Sequence, residues 1–315
     1  MNTKAKILHP TSLPTAIDRT KQELKFTNTG VQDYLKTRYE GVNKQLYGGF
    51  RFGNLVLLAG LSGHGKSYFL TILRNDFLNR ELNDFDDIVY VHFNFEMDET
   101  DELMREASTA TGVSYEEMVS PYVKLTTGNT DKLNNYLDSM KDKPLYFVST
   151  PGNRVEICNT IEAFAEKFKG KRLIISMDHI LLTEVLVGEN DIQTVGTLAS
   201  DFIRLKKKYK ILFIIVDQLN SEIEKPERAS PRKIVPKLSD IFGSKKINHA
   251  CDIVFVVVQP SKLGVNKYGL DSKNLIDTRN LVVLQGIKRR KGGELPAFYF
   301  ENNLDKGRLN YLKHS

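Results

Sequence analysis

The run Gly60-Leu61-Ser62-Gly63-His64-Gly65-Lys66-Ser67 leaves a chain few architectures to choose from. It has a glycine, four variable residues and then Gly-Lys-Ser, directly after the apolar stretch Leu55-Val56-Leu57-Leu58-Ala59. That order reads as strand, loop and helix, an arrangement in which backbone N–H groups curl around a polyphosphate. The glycines permit the curl, and the dipole of a helix opening near Lys66 favours negative charge beside it. In this reading Gly60, Ser62, Gly63, His64, Gly65 and Tyr68 line a nucleotide, Lys66 reaches its β- and γ-phosphates, and Ser67 ligates Mg2+. The competing reading is an ordinary glycine-rich turn. Position, spacing and flanks together favour the phosphate site.

A chain of 315 residues can hold one large domain or two small ones, and 41% hydrophobic content supports a substantial core. The formal charge of +6, with a pI near 9.0, points to an anionic partner, although 39 acidic residues are interspersed with 45 basic ones. Cys158 and Cys251 stand far apart with no CxxC spacing, which argues against a disulfide framework or a zinc site. They read as small core residues in a reducing compartment. No stretch is long and apolar enough to cross a bilayer, and the start runs into Pro10 and Pro14 without a signal-type apolar region. The expectation is a cytoplasmic protein with no membrane partner.

Residues 1–28 are polar and read as an extended or partly ordered arm. Over residues 31–40 the positions of Val31, Tyr34, Leu35 and Arg38 predict a short amphipathic helix, to be buried on its own core or on a neighbouring subunit. From residue 41 to the end, apolar β-branched runs alternate with helical periodicity, the signature of an α/β fold with a mostly parallel central sheet and helices on both faces. The predicted strands are 55–59, 88–93, 145–148, 173–177, 212–216, 253–258 and 281–285, and the principal helices 66–82, 100–111, 155–168 and 191–209. A closing hairpin is expected from 297–300 and 309–312. An arm and a short helix occupy 1–40, and one large domain occupies 41–315.

Ligands of open α/β sheets collect at the carboxyl ends of strands, which singles out the residues that follow each apolar run. Glu96, after the second strand, can act as a general base for an attacking water, or be a helix-initiating acid. Asp178 ends Leu173-Ile174-Ile175-Ser176-Met177 and suits a magnesium ligand, directly or through water; its rival role is a turn residue. Gln218 ends another strand in an amide able to sense a γ-phosphate or to cap a turn. Lys288-Arg289-Arg290-Lys291 is a solvated charge run or a source of cations for a phosphate across an interface. Between residues 221 and 246 there are seven Lys or Arg against four Asp or Glu, among them Arg232, Lys233 and Lys237, with Lys245 and Lys246 at the end. Prolines forbid a regular helix there, so a mobile basic loop tracking a nucleic-acid backbone competes with a merely solvated one. The histidines at 64, 92, 179 and 249 lack metal-ligand spacing.

With these residues in place the chain resembles the RecA-like motor domain of DnaB-type replicative helicases over about residues 41–312. The landmarks fall in the family's order: Gly48-Gly49-Phe50-Arg51-Phe52-Gly53, the phosphate loop, Phe95-Glu96-Met97, Thr150-Pro151-Gly152, the Asp178 strand, Gln218-Leu219-Asn220, Gly243-Ser244, Ala250-Cys251-Asp252 and Lys288-Arg289-Arg290. The resemblance implies a RecA-like P-loop NTPase core preceded by a short linker helix, a homo-hexameric ring with ATP between subunits, single-stranded DNA through the centre, and 5′ to 3′ translocation. It implies that Lys66 and Glu96 serve hydrolysis, that Gln218 couples the γ-phosphate to movement, and that Lys288 and Arg290 reach the next subunit's ATP. The helix at 31–40 would be the linker that docks on a neighbour. A loader and a primase are the implied partners, although the amino-terminal helical domain that contacts primase is missing.

Two motifs depart from the family. Ser239-Asp240-Ile241-Phe242 precede Gly243-Ser244 where an Arg-Glu pair is usual, which shifts the expected DNA contacts to Gly243, Lys245 and Lys246. His179 follows Asp178 where tyrosine is usual. The short form suits a phage or mobile-element replication protein. A RecA/RadA-like recombinase forming filaments, and an ATP-binding loader that does not hydrolyse, remain the alternatives.

Overall fold

The computed structural model describes residues 10–28, 33–84, 86–243, 245–271 and 273–314. Among the described residues thirteen strands run in chain order: β1 Tyr34–Leu35, β2 Phe50–Arg51, β3 Leu55–Gly60, β4 Ile88–Asn94, β5 Leu145–Val148, β6 Arg172–Asp178, β7 Leu212–Gln218, β8 Ile253–Val258, β9 Lys267–Tyr268, β10 Ile276–Asp277, β11 Leu281–Arg289, β12 Ala297–Asn303 and β13 Arg308–His314. The helices are α1 Leu13–Asn28, α2 Glu40–Gln45, α3 Lys66–Phe77, α4 Glu99–Thr111, α5 Tyr115–Val119, α6 Thr127–Met140, α7 Arg154–Lys167, α8 Asp191–Tyr209 and α9 Lys245–Ala250.

Among the described residues nine strands form one sheet in the order β13-β12-β11-β8-β3-β7-β6-β4-β5. The six from β8 to β5 are parallel, and β11, β12 and β13 extend the sheet antiparallel. Every residue of β3, β4 and β8 is buried, because helices cover both faces and leave no polar side to the alternation. Leu55, Leu57 and Ala59 face a cluster completed by Ile157 and Ile161 of α7 and Leu198 and Phe202 of α8, while Val56 and Leu58 face Phe69, Leu73 and Phe77 of α3. Because β3 lies between β8 and β7 while β4 lies farther along, the connection after β3 leaves a crevice at its carboxyl end, the usual ligand position in such sheets.

The expected strands are all present, several extended by a residue or two, and helix 191–209 has the anticipated bounds. Helix 66–82 ends early, at Phe77. The Asn83 carboxamide donates to the Asp76 carbonyl at 2.8 Å and binds the Lys36 backbone in both directions, which turns the chain away. The expected helix over 31–40 is corrected. Val31 and Gln32 lie outside the described residues, and Tyr34–Leu35 is a strand paired with Phe50–Arg51. Leu35, Thr37 and Tyr39 are buried in alternation, so a period of two overrides a helical spacing too short to be decisive. The helix instead occupies Leu13–Asn28, within the stretch read as an extended arm. Ser12 Oγ accepts the Thr15 N–H, and Pro14 sits in the first turn, where its missing N–H costs nothing. Leu13, Ile17 and Leu24 of α1 are exposed along one face.

Residues 33–40 thus belong to the motor body. Tyr39 is buried, its hydroxyl donates to the Leu309 carbonyl at 3.1 Å, and its ring meets Phe300 at 4.9 Å between centroids. Tyr39→Ala should lower stability by about 3–5 kcal/mol, whereas removing residues 1–28 should leave the melting temperature unchanged. Thermal denaturation of both variants checks this; equal destabilisation would move the boundary back.

Candidate nucleotide site

The loop after β3 has the backbone its sequence demands. Gly63 and Gly65 adopt φ of 72° and 95°, and Gly65 is the N-cap of α3. A Cβ on Gly60 would lie 2.7 Å from the Val257 carbonyl oxygen, and one on Gly65 would lie 2.7 Å from Leu304 Cδ1. Both positions therefore require glycine. Among the described residues no side chain caps the start of α3, which leaves its first N–H groups for an anion. A cleft of about 830 Å³ opens there, lined by Ser62, Lys66, Ser67, Glu96, Asp178 and Gln218 among others.

Within it, Lys66 is buried and donates to the Leu61 carbonyl at 3.0 Å. Burial pulls its pKa down, while Asp178, Glu96 and Asp217 act in the other direction. Asp178 is buried, and among the described residues its Oδ1 has no hydrogen-bond partner. Glu96 is exposed, on a turn held by Asn94, whose Oδ1 accepts the N–H groups of Glu96 and Met97 at 3.1 Å each. Gln218 Nε2 lies 3.3 Å from His179 Nε2, and its backbone N–H donates to Asp217 Oδ1 at 2.8 Å. Burial pushes the Asp217 carboxyl up to about 7, against the opposing pull of that N–H and of Lys66.

An orphaned carboxylate oxygen on Asp178 and the Ser67 hydroxyl are hard donors on one cleft, which fits Mg2+. Among the described residues no group of three His, Cys, Asp or Glu could hold a metal alone.

Residues not anticipated from sequence close the cleft. Lys262 Nζ donates to the Gly63 carbonyl at 2.7 Å, and Gln259 donates its backbone N–H to His64 Nδ1 at 3.0 Å. Arg105 joins from α4, and Asn280, Asn302, Asn303 and Leu304 come from around the final hairpin. Gln259 follows β8, so the strand-end rule that found Glu96 and Asp178 would have reached it. The hairpin amides carry no such signal, because only the fold brings them near residue 65.

The DnaB-like helicase C terminal domain family model matches residues 35–295. The chain belongs to that family. Two solved structures share its RecA-like fold. One is described as an ATPase domain, at TM-score 0.77 and 18% identity over 97% of this chain and 100% of that one. The other is a DnaB-like replicative helicase described with its primase interactions, at TM-score 0.75 and 17% identity over 97% of this chain and 68% of that one. No curated protein sequence matches.

The remaining cations of this DnaB-like domain lie elsewhere. Arg290 accompanies Asp252, which pairs with Leu55 at the start of β3, whereas the phosphate loop leaves the opposite end at Gly60. Lys288 Nζ donates to the carbonyls of Asn248 at 2.6 Å and His249 at 3.3 Å; Arg290 binds the carbonyls of His249 and Ala250 and lies 3.2 Å from Asp252 Oδ1. Both thus cover the end of α9 in their own chain, away from their own cleft. Arg232, Lys233 and Lys237 are exposed, yet their loop is fastened rather than loose: Arg228 makes a two-pronged bond to Asp240 at 2.9 Å per arm and donates to the Lys233 and Val235 carbonyls. Arg232 and Lys237 line a cleft with Lys288. Gly243 precedes α9, whose first turn carries Lys245 and exposed Lys246. Cys158 and Cys251 are buried and free, and among the described residues no helix is long and apolar enough to cross a membrane.

Burial first, then Lys262 and Lys66, lowers the His64 pKa from 6.5 to about 4. An unfolded imidazole takes a proton more readily, so this contribution to stability is complete above about pH 6.5 and is lost as pH falls toward 4. Melting of nucleotide-free protein should show that acid loss, and His64→Gln should remove part of it. Identical pH slopes for the two proteins would refute the assignment.

Proposed function

We propose that the protein is an ATP-driven DNA helicase that works as a ring of six copies, moves 5′ to 3′ on single-stranded DNA and binds its nucleotide between neighbouring copies. One observation carries this reading: Lys66, Ser67, Glu96, Asp178 and Gln218 share a cleft, while Lys288 and Arg290 lie at the other end of the sheet. A site so divided is completed when the far end of one copy meets the cleft of the next. The exposed apolar face of α1 supplies a surface for docking on a neighbour.

In this mechanism the backbone N–H groups of the loop and Lys66 hold the β- and γ-phosphates. When bound through Ser67 and Asp178, Mg2+ supplies positive charge to the phosphate oxygens. Glu96, exposed at the rim, orients the attacking water and takes its proton. Lys288 and Arg290 of the neighbouring copy leave the end of their own α9 to meet charge developing on the γ-phosphate. Gln218 reports hydrolysis to the DNA: its carbonyl accepts the Phe242 N–H at 2.8 Å, and the Asn220 N–H donates to the Asp240 carbonyl at 2.7 Å. A shift at Gln218 is thereby carried to Gly243, Lys245 and Lys246, which with Arg232, Lys233 and Lys237 contact the phosphate backbone.

The direct test is DNA-stimulated ATP hydrolysis with unwinding of a forked duplex. Both should be present in the wild type, and Glu96→Gln should cut hydrolysis by roughly 10²–10⁴-fold; hydrolysis with no strand separation on any fork contradicts the helicase reading. Mixing Arg290→Ala with Lys66→Ala subunits should restore part of the activity that each lacks alone, since some interfaces then hold an intact half from each copy. No recovery at any ratio would put Arg290 outside a shared site. Lys246→Ala should weaken binding to all single strands alike and reduce the salt slope by about 0.7; an unchanged slope removes Lys246 from the contact set.

A further inference from the structure

Behind the cleft lies a buried charged network. Arg74 of α3 is fully buried and donates to Glu102 Oε2 at 2.9 Å and to Glu106, both on α4. Glu102 Oε2 also lies 3.4 Å from His92 Nε2 on β4, and His92 Nδ1 meets Ser176 Oγ on β6 at 2.7 Å. Three of the elements that carry cleft residues thus share one network. α3 opens with Lys66 and Ser67, β4 leads to Asn94 and Glu96, and β6 ends at Asp178.

The network surfaces at one point. Arg105 lines the cleft with a side chain 14% exposed, and its Nη1 donates to Glu102 Oε1 at 2.9 Å. Its Nη2 donates to the sulfur of Met97, the residue after Glu96, and its Cζ lies 5.5 Å from the ring centroid of Tyr68, the residue after Ser67. A planar fork spans these three partners, and a lysine ammonium lacks that shape. Burial works against the charge of Glu102, but Arg74, His92 and Arg105 outweigh it and hold the carboxyl well below its usual range, so the anchor stays ionised.

We propose that Arg105, held by Glu102, is a positioning residue that fixes the Glu96 turn against the Ser67 end of α3. The inference rests on the reading of Glu96 as the hydrolytic base. A guanidinium bonded beside the base and laid over the ring beside the metal ligand sets the separation across which water must attack. A misplacement of about 1 Å at such a site costs on the order of a hundredfold in rate. Removing Arg105 therefore slows turnover without loosening ATP, which the loop and Lys66 hold.

The test is a double-mutant cycle on the full chain with single-stranded DNA, reading kcat and KM for ATP, with the melting temperature of each variant measured alongside. Arg105→Gln should lower kcat roughly ten- to a hundredfold and leave KM within about twofold. Arg105→Lys should lose nearly as much, because charge alone does not bridge the partners. In the Glu96→Gln background, Arg105→Gln should cost less than about twofold more, since a turn without its base has nothing left to position. Should Arg105→Gln fail to fold, Met97→Leu keeps the volume, removes the sulfur acceptor and should show the same background dependence. A loss carried in full into the Glu96→Gln background, a raised KM at unchanged kcat, or wild-type kinetics would overturn the proposal. Wild-type turnover by Glu96→Gln alone would instead overturn the reading of Glu96, and the cycle separates the two failures.

Discussion

Lys66 is an ammonium withdrawn from water and held among three carboxylates, Asp178, Glu96 and Asp217, at the mouth of a helix with uncapped N–H groups. Such a charge is costly to bury unless partners compensate it, and here acidic residues on three other strands or strand ends offset part of the burial that still holds its pKa below the usual value. β3 must lie between β7 and β8 to bring Lys66 to this point, and every residue of β3 is buried so that the loop springs from a fixed base. The glycines at 60 and 65 then allow Val257 and Leu304 to close on the loop from either side. The sheet order, the helix start and the acidic rim are parts of one solution to that placement.

The same sheet separates two chemistries by its length. One end carries the cleft; the other carries Lys288 and Arg290, bound to the last carbonyls of α9. The segment from Gln218 through the fastened loop to α9 joins the two ends, with Arg228 and Asp240 as its central tie. In the proposed mechanism this segment carries a change at the cleft to the residues that would meet a neighbour. The bonds at Phe242 and Asn220 make that link short.

Much of this was legible in the sequence because buried parallel strands write their own pattern. The Leu, Ile and Val runs located every major strand, and a carboxylate or amide directly after a strand located Glu96, Asp178 and Gln218. What failed depended on distant partners. Residues 34–39 alternate in burial, with Tyr39 against Phe69 and Phe300, and no local spacing reveals those rings. α1 carries few apolar residues and its face is uncovered, so composition alone reads as an arm. The loop read as mobile is held by Arg228 and Asp240, and that pairing depends on geometry rather than spacing. Arg105 reads as one charged residue on a polar helix until α3 and β4 are seen on either side of it.

The central claim is a nucleotide site completed by a second copy. Single-particle imaging of the protein with a non-hydrolysable ATP analogue and single-stranded DNA tests it most directly. The account predicts a closed ring of six, with Lys288 and Arg290 of each copy facing the phosphate held by Lys66 of the next. Single copies or open filaments in which each nucleotide touches only its own chain would contradict it.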